Sequence, residues 1–90
     1  MNIDFKTSFL NDVKKVKNNL LKEKVEKAIK NVEKAKSKQD IPELRKLKGS
    51  KKGIYYRIKI DHYRIGATIE NDMVTFVVFM PRKDIYKFFP

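Results

Sequence analysis

The sequence predicts an α+β domain: an N-terminal strand, then a helical hairpin packed on one face of a small, mainly antiparallel sheet. Three observations carry that expectation. Apolar residues in the first half recur at helical spacing, the period switches to two after Gly53, and short polar turns divide the second half into runs of strand length. A chain of 90 residues holds one core of modest size, so residues 1–90 are expected to form a single domain.

The elements follow in order. Ile3 and Phe5 alternate with Asn2 and Asp4, the pattern of a short strand. Thr7 or Ser8 offers a cap for a helix whose apolar face is Phe9, Val13, Val16 and Leu20, and Asn18-Asn19 marks its break. A second helix carries Leu21, Val25, Ala28, Ile29, Val32 and Ala35 on one face, with Lys and Glu on the other. Its outer carboxylates, Glu23, Glu26 and Glu33, read as a solvated face. Asp40 and Pro42 suggest a restart, with Leu44 and Leu47 tucking a short turn under the core. Lys48 to Gly53 is a basic turn.

In the next run Ile54, Tyr56, Ile58 and Ile60 point one way and Tyr55, Arg57 and Lys59 the other. Asp61-His62 closes a hairpin onto Tyr63 to Ile69, with Ile65, Ala67 and Ile69 inward and Arg64, Gly66 and Thr68 outward. Glu70-Asn71-Asp72 turns into Met73 to Met80, apolar enough to be buried on both sides and therefore central. Pro81 ends it, leaving Arg82 to Pro90 as a tail of about one helical turn. With the helices on one sheet face, the other is expected to be exposed and to carry Tyr55, Arg57, Lys59 and Arg64.

Charge narrows the function. Twenty-two Lys and Arg against eleven Asp and Glu leave a net +11, a field that draws polyanions: nucleic acid first, then an anionic membrane surface or an acidic protein. From Arg45 to Arg64 only Asp61 opposes eight cations, so the field comes mainly from the second half. Absence of cysteine excludes disulfides and thiolate chemistry, and a single histidine leaves no metal-ligand spacing. Neither a metal nor another cofactor is expected. The N-terminal residues lack the pattern of a secretory signal and no apolar run could span a bilayer; a soluble, cytoplasmic protein without membrane association is the expectation.

Arg57 and Lys59 share a strand face, and a hairpin closed at Asp61-His62 brings Lys59 and Arg64 to facing positions with Cβ atoms about 5 Å apart. Such proximity of like charges is costly unless an anion sits between them. Arg82 and Tyr86 follow near the same face. Cations there neutralise phosphate, and Tyr55, Tyr63 and Tyr86 offer stacking surfaces for unpaired bases. Lys48, Lys51, Lys52, His62 and Lys83 are further candidate RNA contacts, His62 being first a turn residue. The same cations serve affinity or the stabilisation of charge during phosphodiester cleavage, and the residues alone leave binding and catalysis open.

The runs Leu47-Lys48-Gly49, Tyr56-Arg57-Ile58-Lys59-Ile60, Tyr63-Arg64-Ile65 and Arg82-Lys83-Asp84-Ile85-Tyr86, closed by Lys87-Phe88-Phe89-Pro90, resemble the RelE/ParE superfamily of bacterial toxins. That resemblance implies a ribosome-dependent, metal-independent endoribonuclease that cleaves mRNA in the decoding site by 2′-hydroxyl attack. It places Arg57 and Lys59 at the two basic strand positions, with Lys59 as general base because a lysine can lose its proton among other cations. Arg64 would hold the phosphate, Arg82 would act at the leaving group and Tyr86 would orient the nucleotide. Arg57 stands where the best-known relative has lysine, which favours an electrostatic role. Pro81 stands where many relatives have histidine. A cognate antitoxin, acidic and partly disordered alone, is the implied partner, adding a helix or an edge strand and setting the oligomeric state. Two other readings accompany this one: a ParE-like poison of DNA gyrase, and a member of the fold that only binds.

Overall fold

A computed structural model describes residues 1–49 and 52–90. The chain runs β1 (Asn2–Phe5), α1 (Thr7–Lys14), α2 (Asn19–Lys34), a 3-10 turn at Lys38–Asp40, β2 (Leu44–Lys46), β3 (Tyr55–Ile60), β4 (Tyr63–Glu70), β5 (Met73–Pro81) and α3 (Arg82–Phe88). The five strands form one sheet in the order β1-β5-β4-β3-β2. Only the β1–β5 pair is parallel. The centre of the sheet is therefore β4, and β5 is an inner strand beside it rather than the central one.

The α+β architecture matches the sequence reading, and its details correct several local expectations. Neither Thr7 nor Ser8 caps α1: Lys6 occupies the cap position and no side chain closes it. Ser8 and Asp12, one helical turn apart, bond to the sheet instead. The Ser8 hydroxyl donates to the Val77 carbonyl, and the Asp12 carboxylate accepts from the Phe79 N–H at 3.0 Å. β1 pairs only with residues 73–76, so α1 takes over the β5 edge where β1 stops. At the next helix Asn18 is the cap, its side chain accepting from the Leu21 N–H at 3.1 Å. Helix phase is reset there. Leu20 accordingly leaves the apolar face predicted for it and is 60% exposed, while Leu21, Val25 and Val32 are buried.

The main core lies between the helices and the sheet. Phe9, Val25, Val32, Ile65, Val74 and Phe76 are almost wholly excluded from water. The rings of Phe5 and Phe9 both lie against Phe76, at 5.3 Å between centroids. Tyr56, Ile58 and Ile60 enter this core from β3, and Ile65, Ala67 and Ile69 enter from β4, as the alternation requires.

Two larger differences concern the second sheet face. The segment after Pro42 is a strand rather than a turn or helix start. Glu43 turns the chain through a left-handed conformation (φ 61°), and Leu44, Arg45 and Lys46 then pair with Ile58, Arg57 and Tyr56. Edge pairing satisfies backbone groups of β3 that would otherwise face solvent. The C-terminal tail is two turns of helix, and it covers part of the face expected to be open. Leu47, Ile85 and Phe89 form a second small core against Tyr55, Val77, Val78 and Met80.

Gly66 makes that docking possible, because a Cβ there would stand 2.7 Å from both the Phe89 ring and Val78. Gly66→Ala is expected to overpack the second core and cost about 1–3 kcal/mol of stability. Urea denaturation checks the cost. Faster proteolysis within residues 82–90, with the main core retained, would locate it at the tail.

Candidate nucleic-acid interface

The β3–β4 hairpin sets the centre of the site. Its turn begins at Asp61, in the left-handed region (φ 53°), where a short polar side chain is tolerated. Register places Lys59 opposite Arg64 and Arg57 opposite Gly66, so Arg57 and Arg64 are diagonal neighbours on one face.

Arg64 is 6% exposed. One terminal nitrogen donates to the carbonyls of Asp61 at 2.9 Å and Tyr63 at 2.8 Å. Its Nε–H has no partner. Burial, then the Arg57 cation, pulls its pKa below the ordinary value; Tyr86 and Glu43 oppose this and Arg82 adds to it. An arginine keeps its charge under such a shift. A buried cation with an unused donor and no carboxylate is unfavourable in isolation, and an anion would relieve it.

The surrounding elements hold the other groups in place. The Arg82 N–H donates to the His62 carbonyl at 2.7 Å, which ties the start of α3 to the hairpin turn. Arg57 is half-buried and donates to the Glu43 carbonyl at 3.2 Å. Tyr86 is 60% exposed and borders two open clefts. One, of 580 Å³, is lined by His62, Pro81, Arg82, Lys83 and Tyr86. The other, of 470 Å³, is lined by Arg45, Lys48 and Arg57 among others and is closed by Phe89.

Of the residues singled out from sequence, Arg57, Arg64, Arg82 and Tyr86 thus converge, with His62, Lys83 and Lys48 on the flanking clefts. Lys59 is exposed and borders a different groove, of 330 Å³, shared with Lys24 and Lys27 of α2 and the apolar Ile41 and Ile58. Lys52 is exposed and lines neither cleft beside Tyr86. Tyr55 is half-buried and its ring makes a T-shaped contact with Phe89 at 5.5 Å between centroids. Tyr63 stacks on Phe79 at 4.9 Å. Lys51 lies outside the described residues. Asp84 forms no ion pair with Arg82 among them.

Sequence reasoning missed the two carbonyls that hold Arg64, the Glu43 carbonyl that holds Arg57, and the presence of Arg45 in the site. The first could have been sought at the Asp61 turn. The others depend on an edge strand without an alternating apolar pattern. Among the described residues no group of three His, Cys, Asp or Glu side chains gathers as metal ligands, and no helix is long and apolar enough to cross a membrane.

Fold and site together define a small α+β domain with a concave basic surface, built around a buried arginine and an exposed tyrosine, and suited chemically to a phosphodiester. No family model matches the chain. It is 32% identical over 91 residues to Toxin RelE3 of Methanocaldococcus jannaschii, covering all of both chains. The toxin in the crystal structure of the RelB-RelE antitoxin-toxin complex from Methanococcus jannaschii superimposes with a TM-score of 0.78 at 29% identity, over 97% of this chain and 99% of that one. The archaeal RelE-RelB complex from Pyrococcus horikoshii gives a TM-score of 0.71 over 90% and 93% of the two chains, a likeness of fold alone at 13% identity. The chain belongs to the RelE family of toxins from toxin–antitoxin systems.

The turn carries its own pH dependence. The Lys24 ammonium, 2.7 Å from the Asp61 carboxylate, holds that carboxyl below the usual carboxylate range. A depressed folded pKa means the pair contributes above the unfolded pKa and is lost as pH falls through the folded one. In Lys24→Ala the Asp61 titration midpoint, followed by carbon-13 NMR, is expected to move up toward the usual range.

Proposed function

We propose that this toxin is a ribosome-dependent, metal-independent endoribonuclease that cuts mRNA in the decoding site and so inhibits translation. The observation that carries the reading is Arg64: buried, its Nε–H unused, and flanked by Arg57, Arg82 and Tyr86. In this reading the scissile phosphate sits against Arg64. The 2′-hydroxyl oxygen attacks the adjacent phosphorus, the bond to the 5′-oxygen breaks, and the products are a cyclic phosphate and a 5′-hydroxyl end. Arg64 and Arg57 offset the charge that builds on the phosphoryl oxygens, where preorganised donors are most effective. Arg82 supports the leaving 5′-oxygen, which takes its proton from water, and Tyr86 stacks on a base. Lys59, whose Cα faces that of Arg64, accepts the 2′-proton in its neutral amine form. Lys48, Lys51, Lys52, Tyr55, His62 and Lys83 contribute to RNA affinity, Tyr55 by supporting the second core.

Residues 1–90 act as one toxin domain in the cytoplasm and need no cofactor. The M. jannaschii toxin is held in complex with RelB. A cognate antitoxin of acidic character is the corresponding partner here, masking the basic face and setting the assembly state.

The test is to induce the wild type and an Arg64→Ala, Arg82→Ala variant without antitoxin and map mRNA 5′ ends during growth arrest. Cuts within translated codons are expected from the wild type. The rate of cleavage on purified translating ribosomes should fall by about 10²-fold or more for each arginine removed. Arrest with DNA breaks and no such cuts would move the target to gyrase, the ParE-like reading. Unimpaired growth would make this a binding-only member. Lys59 standing outside both clefts is the observation that favours that last reading.

A further inference from the structure

Arg45 and Arg57 face each other directly across β2 and β3. Like charges at facing sheet positions are destabilising. Among the described residues the one ion pair is Lys24–Asp61, so neither arginine has a carboxylate partner. Arg57 commits a terminal nitrogen to the Glu43 carbonyl, which holds its guanidinium toward the β2 side. Arg45, itself exposed, completes with Arg57 and Lys48 one wall of the 470 Å³ cleft, and Tyr86 and Phe89 contribute the other side. The three arginines Arg45, Arg57 and Arg64 therefore step across three adjacent strands, β2, β3 and β4, away from the buried centre.

We propose that this cleft is a second phosphate subsite, in which Arg45 binds the backbone of a single-stranded RNA one or more nucleotides away from the phosphate at Arg64. The inference rests on the RNA-binding reading above and extends it to a strand path. Its geometry favours RNA over an acidic peptide. The exposed Tyr86 ring lies between two cation-lined clefts, Arg82 and Lys83 on one side and Arg45, Lys48 and Arg57 on the other. Cation, aromatic face, cation is the repeat a nucleic-acid strand presents as phosphate, base, phosphate. A carboxylate-bearing peptide has no use for the stacking face. Planar guanidinium groups on both strands also match phosphate in a bidentate manner that lysine cannot.

The experiment compares wild-type toxin, Arg45→Gln, Arg45→Lys and a charge control, Lys30→Gln on the outer face of α2. Binding of a labelled six-nucleotide RNA is measured from low to moderate salt, beside a dinucleotide. For Arg45→Gln the affinity for the longer RNA should fall about five- to tenfold at low salt, and the slope of log affinity against log salt should shrink by about 0.7. Dinucleotide binding should be unchanged. Arg45→Lys should recover the salt slope and only part of the affinity, and Lys30→Gln should resemble wild type. If wild type binds RNA but Arg45→Gln matches it in affinity and slope, the subsite is refuted while the RNA-binding reading stands. No binding of this free RNA by folded wild type, checked by circular dichroism, overturns the subsite, while cleavage on translating ribosomes decides the nuclease reading separately. Loss of binding to a poly-glutamate peptide without any change toward RNA would assign the cleft to a protein partner and overturn the proposal.

Discussion

The guanidinium of Arg64 lies beneath α3 with one nitrogen bonded to two backbone carbonyls of its own hairpin, and much of the second sheet face is arranged around it. One carbonyl belongs to the turn and the other to the first residue of β4, so the turn conformation helps set the direction of the side chain. Asp61 adopts a left-handed conformation to make that turn, while its carboxylate reaches Lys24 on the other side of the sheet. The His62 carbonyl accepts from the Arg82 N–H, so the same two-residue turn also positions the start of α3. A buried arginine is tolerated because its polar contacts come from backbone that the hairpin needs in any case.

This constraint explains why so small a chain has two cores. The larger one, between α1, α2 and the sheet, contains most of the buried apolar residues and backs β4 and β5 on the face opposite Arg64. The smaller one, around Leu47, Ile85 and Phe89, fastens α3 over part of the opposite face. It closes one side of the arginine and leaves Tyr86 exposed at the rim. The seating of this seven-residue helix depends on the missing side chain of Gly66.

Much of the fold was legible because the physics behind it is local. Alternation assigned Tyr56, Ile58 and Ile60 to the core and Arg57 and Lys59 to the opposite face. The dipeptide Asp61-His62 located the hairpin, and with it the facing positions of Lys59 and Arg64. Asn18 was legible as a break but not as a phase reset, so Leu20 was misplaced. Arg57 and Arg64 were readable as neighbours, since strand period and one hairpin suffice to gather them, whereas Arg82 and Tyr86 join them only through the end of β5 and α3. Lys59 shows the limit of that logic. Register brings it opposite Arg64, yet it is exposed and lines neither cleft beside Tyr86.

By itself the sequence determined the α+β class, the phase of the second helix and of β3 and β4, and the concentration of charge in the second half, because periodicity and charge are properties of neighbouring residues. Tertiary structure alone decided that Leu44–Lys46 would be a strand, since its pairing is specified by the open edge of β3 and not by its own pattern. It alone decided that the tail would cover the second face, since Ile85 and Phe89 gain from burial only once Gly66 and Leu47 provide a surface. The burial of Arg64 follows from that cover, and a side chain expected on an open face became the enclosed centre of the site.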